Sequence, residues 1–238
     1  MRWISGAAVL FILSAFSGLD YTHVTKNYEV HGIDVSHHQN YINWEKVAAH
    51  PTQKIQFCFI KATEGSTFKD YRFNLNWEQS KKAGLSRGAY HFYTSNGNPR
   101  TQAAHFIRHV KLENNDLAPV LDVEQEVTAY TAYQFRKNLL IWLTTVEKHY
   151  GIKPIIYTNP FIYGKYIKGY FKDYPLWIAD YNSSNIHQKI KDDNLRFWQY
   201  TERGRVSGIR GYVDYNAFLG GKEEFDKHHI CLPVEFDS

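Results

Sequence analysis

After residue 30 the chain alternates short apolar runs, rich in β-branched and aromatic residues, with longer amphipathic stretches, and no other feature limits the fold as strongly. There are eight such runs: HGIDVS (31–36), IQFCFIKATEG (55–65), SRGAYHFY (86–93), APVLDVE (118–124), PIIYTN (154–159), PLWIADY (175–181), LRFWQYT (195–201) and GYVDYN (211–216). Strands separated by helical segments are the pattern of α/β architecture. Helices are expected over 70–83, opening at a capping Asp70 and stopping at Gly84, and over 99–113, opening with Pro99. A third is expected over 131–149, where apolar residues recur at helical spacing up to Gly151, and a fourth begins at Asn159-Pro160. Past about residue 182 the helical signal fades. The expected fold is therefore a single α/β barrel of TIM-like (β/α) type, with eight strands and an irregular second half that lacks some helices.

No internal repeat, low-complexity linker or composition break divides the 238 residues, so one domain is expected over 31–218. Residues 19–30 read as a linker, and the charged, aperiodic stretch 219–238 as a surface tail. The first residues, MRWISGAAVLFILSAFSGLDYTH, place basic Arg2 before an apolar run from Trp3 to about Phe16 and small residues Ser14, Ala15, Ser17 and Gly18. That layout predicts a signal peptide over 1–18, with an uncleaved N-terminal membrane anchor as the alternative. Either places the chain outside the cytoplasmic membrane, secreted, periplasmic or in the cell envelope. The excess of 28 basic over 24 acidic residues is spread without a Lys/Arg block, so no nucleic-acid partner is expected. A monomer is expected. Cys58 lies in a strand-like run and Cys231 in the tail; they read as a buried thiol and an incidental one, with a bridge between them left open.

The acids carry the chemistry. Asp122 and Glu124 stand two apart in an apolar strand-like run, so they share a face with Cα atoms about 6–7 Å apart. Like charges that close resist joint ionisation, which suits a site needing one carboxyl protonated and the other charged. In a barrel of parallel strands, function gathers at the strands' C-terminal ends. Asp34 falls near the end of the first strand, Asp180 closes the sixth and Asp214 closes the eighth. Taken singly, Asp180 and Asp214 read more readily as turn residues. His37, His38 and His91 could be imagined as metal ligands, but adjacent histidines on a strand face opposite ways and no ligand spacing accompanies the acids, so neither metal nor cofactor is expected. A serine nucleophile lacks its G-x-S-x-G elbow.

Several ordered blocks resemble those of the glycoside hydrolase family 25 lysozymes, barrel-shaped N-acetylmuramidases. GIDVSHHQNYINWEKV resembles the family's opening strand and turn; FIKATEG, RGAYHF, PVLDVE, IIYTN and LWIADY the second to sixth strands; WQYT and VDYN the last two. The resemblance runs over about 30–218. It implies that Glu124 is the general acid and Asp122 its charged neighbour, which orients the substrate's acetamido group or stabilises the oxocarbenium-like centre. Asp34 and Asp214 would support them, and Tyr90, Tyr157, Trp177 and Asp180 would line sugar subsites. Asn43 stands where many relatives carry Asp. The implied reaction is cleavage of the β-1,4 bond between N-acetylmuramic acid and N-acetylglucosamine in peptidoglycan glycan strands, with the acetamido oxygen as internal nucleophile or with Asp122 in that role. A non-catalytic wall-binding barrel, a hydrolase of another N-acetylated glycan such as chitin, and a metal-dependent hydrolase are the rival readings.

Overall fold

The computed structural model describes residues 22–49, 54–127 and 131–230. The expected signal peptide or anchor over 1–18 and Cys231 lie outside these residues. All eight expected strands form, with one short addition: β1 (Val30–Val35), β2 (Ile55–Glu64), β3 (Phe68–Lys69), β4 (Ser86–Phe92), β5 (Val120–Val123), β6 (Ile155–Thr158), β7 (Leu176–Ala179), β8 (Leu195–Gly204) and β9 (Val213–Phe218). The two-residue β3 folds back on the end of β2. The other eight run in the order β1, β9, β8, β7, β6, β5, β4, β2, and pairing of β1 with β2 closes the barrel.

The last strand corrects the expectation of a parallel barrel. β9 is antiparallel to both of its neighbours, β1 and β8, while the other pairings in the ring are parallel. Residues 205–212 are too few for a crossover, which takes a dozen or more residues, so the chain turns straight back. Asp214 therefore opens its strand rather than closing it. The reversed direction is what delivers it to the mouth where the parallel strands end.

The first half of the ring is clothed by helices α1 (Thr22–Asn27), α2 (Trp44–Ala48), α3 (Phe73–Lys82), α4 (Pro99–His109) and α5 (Ala132–Tyr150). The Thr131 hydroxyl accepts the Gln134 N–H at the start of α5, and Gly151, at φ 71°, ends it in the left-handed region. Asn98 caps α4 ahead of Pro99. Asp70 is not the cap of α3: its carboxylate accepts the Arg72 and His37 N–H groups and the His37 ring, and the helix opens at Phe73. Among the described residues the second half carries only α6 (Pro160–Ile162), which runs into a π-helical turn at Tyr163–Ile167, then α7 (Ile186–Lys189) and α8 (Lys222–Asp226). The irregular second half is thus as expected. Two edges of the expected domain change: the stretch read as a linker holds α1, and the stretch read as a surface tail holds α8. Phe225 and Ile230 are buried, and the Ile230 N–H donates to the Asp116 carbonyl.

Rings fill the barrel. Phe57 and Phe59 from β2, Trp177 from β7, Phe197 from β8 and Phe218 from β9 meet on the axis, and Phe225 of α8 packs against Phe57 and Phe218. Gly32 and Gly88 make the room: a Cβ at Gly88 would stand 2.5 Å from the Phe59 ring, and one at Gly32 2.4 Å from that of Phe57. Ring packing raises a solid floor beneath the mouth. Cys58, on the outward side of β2, is a buried free thiol.

Candidate active site

Inward positions at the strand ends converge above this floor. Asp34 of β1 stands directly opposite Asp214 of β9 in the antiparallel register, which brings their side chains to neighbouring positions on one face. The Asp34 Oδ2 accepts Gln199 Nε2 and Asn216 Nδ2, each at 2.8 Å. Burial pushes Asp34 up to about 6 in spite of these donors. Asp214 is pushed up to about 9, first by burial and then by the Asp34 charge. At neutral pH Asp214 therefore keeps its proton and donates it to Asp34. The donors are themselves held: Gln199 Oε1 accepts the hydroxyls of Tyr157 at 2.9 Å and Tyr181 at 2.6 Å, and Asn216 Oδ1 accepts Trp177 Nε1 at 2.9 Å. The Trp177 ring stacks on Phe59 at 4.6 Å between centroids. A polar sheet thus lies directly on the aromatic floor.

β5 ends at Val123, so Asp122 is fixed by the ladder, in register with Phe92 and Tyr157, while Glu124 is the first residue beyond it. Asp122 is buried and Glu124 is exposed at the mouth. Burial raises Asp122 well above the usual carboxylate range, and the Glu124 charge and a hydrogen bond between the two raise it further. Confinement also raises Glu124, opposed by that hydrogen bond and by Lys61. The like-charged pair gives up its protons less readily than two isolated carboxyls would. Asp122 Oδ1 is buried with no protein partner.

The cleft that these residues line encloses about 280 Å³. A second hollow of about 550 Å³ adjoins it, and Glu124, Tyr157, Tyr181 and Glu202 line both. Glu124 thus stands where two compartments of one groove meet. Of the residues singled out in the sequence, Asp34, Asp122, Glu124, Asp214, Tyr90, Tyr157 and Trp177 all line the cleft. Asp180 does not. It lies in the adjoining hollow, where its carboxylate takes the Asn182 N–H, the Ser183 hydroxyl and, at 2.6 Å, the Lys189 ammonium. The imagined metal ligands do not converge with the acids on one site: the His37 ring binds Asp70 and lies 4.1 Å from that of His38, which lines the cleft, while His91 is buried between Thr63 and Gln102, pushed down to about 3 by burial. Among the described residues no three His, Cys, Asp or Glu side chains are placed to hold a metal ion. Sequence reasoning missed Gln199, Asn216, Lys61, Tyr181 and Glu202. Period-2 alternation from Phe197 and from Asp214 would have pointed Gln199 and Asn216 inward.

Residues 33–209 match the family model of the glycosyl hydrolases family 25. The chain belongs to glycoside hydrolase family 25. This family 25 glycosidase is 34% identical to lysozyme M1 of Streptomyces globisporus over 203 residues, 80% of this chain and 68% of that protein. It is 41% identical over 207 residues to the protein YegX of Escherichia coli O157:H7, covering 85% of this chain and 74% of the other. The solved structure of a family 25 glycosyl hydrolase from Bacillus anthracis superposes with a TM-score of 0.77 at 36% identity, covering 85% of this chain and 94% of that one. As a family 25 hydrolase of the lysozyme type, the chain is a glycosidase, and the cleft is where its carboxyls gather.

Proposed function

We propose that this glycosidase is an exported peptidoglycan hydrolase that cleaves the β-1,4 bond between N-acetylmuramic acid and N-acetylglucosamine. The observation that carries this reading is the pairing of a buried Asp122 with a Glu124 open to the groove, at the junction of the two compartments, where a glycan threaded through the groove would present a bond between successive sugars. Glycoside cleavage needs a proton on the departing oxygen and stabilisation of positive charge at the anomeric carbon. Glu124, open to the groove, is the acid: Asp122 donates the pair's hydrogen bond in the free cleft, and that proton passes to Glu124 before it reaches the glycosidic oxygen. Asp122 faces the cleft with a buried oxygen lacking a protein partner, suited to accept the N–H of a substrate acetamido group and turn its carbonyl oxygen toward the anomeric carbon. Asp34 supplies the negative charge on the other wall, and Asp214 holds it in place with a proton. Tyr90 and Tyr157 offer ring and hydroxyl to the sugars, Trp177 supports them from below, and Asp180 shapes the loop of the second compartment. Export rests on the Arg2-led apolar leader and on a polymer substrate that lies outside the cytoplasmic membrane.

The test is digestion of purified peptidoglycan by the full-length chain, with borohydride reduction and mass spectrometry of the new ends. Muramic-acid reducing ends support the assignment, and N-acetylglucosamine ends move it to the other bond of the strand. Wall binding without cleavage favours a binding barrel; cleavage of a chitin oligomer but not of peptidoglycan favours the rival glycan. De-N-acetylated peptidoglycan cut at an unchanged rate would refute acetamido assistance.

A further inference from the structure

The cleft holds one cation whose place the proposed reaction does not yet use. Among the described residues that line it, Lys61 is the only one carrying an ammonium or guanidinium group, and it faces carboxyls on several strands. Its position is built. β2 keeps register with β4 as far as Lys61 opposite Tyr90, then slips, so that Thr63 stands opposite His91. The extra residue, Ala62, has its carbonyl satisfied by the Asp70 N–H at 2.9 Å. Irregularities of this kind re-aim a side chain next to a functional site. Here Thr63 turns outward to the buried His91, and Lys61 stays inward at 8% exposure. The ammonium donates to Glu64 Oε2 at 2.6 Å and lies 4.8 Å from the centre of the Phe92 ring. Phe92 is the residue in register with Asp122. A buried ammonium has three donors and is strongly hydrated when free, so one carboxylate and a ring face leave it seeking anionic neighbours.

We propose that Lys61 is a positioning residue of the reaction: tethered by Glu64, its ammonium fixes the orientation and the charge of the Asp122–Glu124 pair. A positive charge beside the pair favours the state in which one proton is shared and one negative charge remains. Without it, burial would drive the pair past the singly protonated state toward a doubly protonated, uncharged one. Glu64 tempers the effect by drawing part of the ammonium's field to itself. The other titratable groups lining the cleft around the pair are carboxyls and phenols, Asp34 of β1, Asp214 of β9, Glu202 of β8, Tyr90 of β4, Tyr157 of β6 and Tyr181 beyond β7, together with His38 on the rim. None of these carboxyls and phenols can supply a positive charge. The consequence for turnover rests on the muramidase reading; the consequence for the pair itself does not.

The experiment is a pH titration of the carboxyl carbons in the full chain labelled with ¹³C at Asp and Glu side chains, assigned with Glu124→Gln, alongside the pH profile of kcat/KM on peptidoglycan. Lys61→Met should raise the midpoints of the pair by about one pH unit, the scale of one charge at this range in a partly solvated cleft. Lys61→Arg should restore them, and Glu64→Gln, at a half-exposed position, should lower them. Both limbs of the kcat/KM profile should move with the midpoints. A lysine that only packs would leave the midpoints in place. Unmoved midpoints in a folded Lys61→Met protein, or an upward shift in Glu64→Gln, would overturn the proposal. Midpoints that move in a chain that cuts no peptidoglycan would leave it standing and remove the muramidase reading instead.

Discussion

Replacing Gln199 with Leu separates two contributions that the wild-type floor combines. The side chain donates to the Asp34 carboxylate at 2.8 Å and accepts two tyrosine hydroxyls, from Tyr157 and Tyr181. Leaving those hydroxyls without an acceptor costs about 1–3 kcal/mol at any pH. The bond to Asp34 matters only when Asp34 is charged. Asp34 has a folded pKa of about 6 against an ordinary 3.8, so the wild type loses stability as pH rises from about 4 to about 6 and is level in this group above that. A hydrogen bond to a charged acceptor is worth about 1.5–3 kcal/mol, so its loss should raise Asp34 by a further ~1–2 pH units. In the variant the decline then continues to about pH 7–8. The penalty at pH 8 should exceed that at pH 5 by about 1.5–3 kcal/mol, which for a chain of this size is roughly 3–12 °C in Tm. Thermal unfolding of both proteins at the two pH values measures this directly. An equal drop in Tm at pH 5 and pH 8 would refute the placement of Gln199 on a titrating Asp34.

Three further outcomes follow from the same geometry. Gly88→Ala should cost about 1–3 kcal/mol in thermal unfolding, because its Cβ would press on Phe59, and adding Phe59→Leu should recover part of the loss. Asp214→Asn should flatten the stability profile between about pH 4 and pH 9, since a carboxyl whose folded pKa is about 9 makes the wild type lose stability across that window and an amide does not. Asp180→Asn should reduce cleavage less than tenfold while loosening the Asn182–Lys189 loop, measured by hydrogen exchange, because its carboxylate is already taken by that loop.

Most of the barrel was legible because each strand is a short apolar run and each long helix carries its own stop and start, as Thr131 and Gly151 do for α5. Direction is harder to read: eight residues between β8 and β9 forbid a crossover, whereas the rule that acids gather at strand ends holds only for strands that run the same way. It placed Asp214 at the correct mouth for the wrong reason. The barrel's lower closure was hidden because Phe225 and Ile230 are isolated among charged residues and show no period. The charged half of the site was readable, since clustered carboxyls are conspicuous in an apolar run. Its neutral half was not: Gln199 and Asn216 carry no charge to draw notice, and their role emerges only when strands distant in sequence pair. Asp180 lines the second compartment while its carboxylate also holds its own turn through Asn182, Ser183 and Lys189, as a strand-end aspartate commonly does.

The most direct measurement is the rate at which Glu124→Gln digests purified peptidoglycan beside the wild type, with thermal unfolding run on both. Loss of a general acid should lower the rate by about 10²–10⁴-fold while Tm stays at or above the wild-type value, since the substitution removes a like charge from the pair. Digestion by the folded variant at the wild-type rate would show that the proton comes from elsewhere and that the Asp122–Glu124 pair is not the catalytic centre.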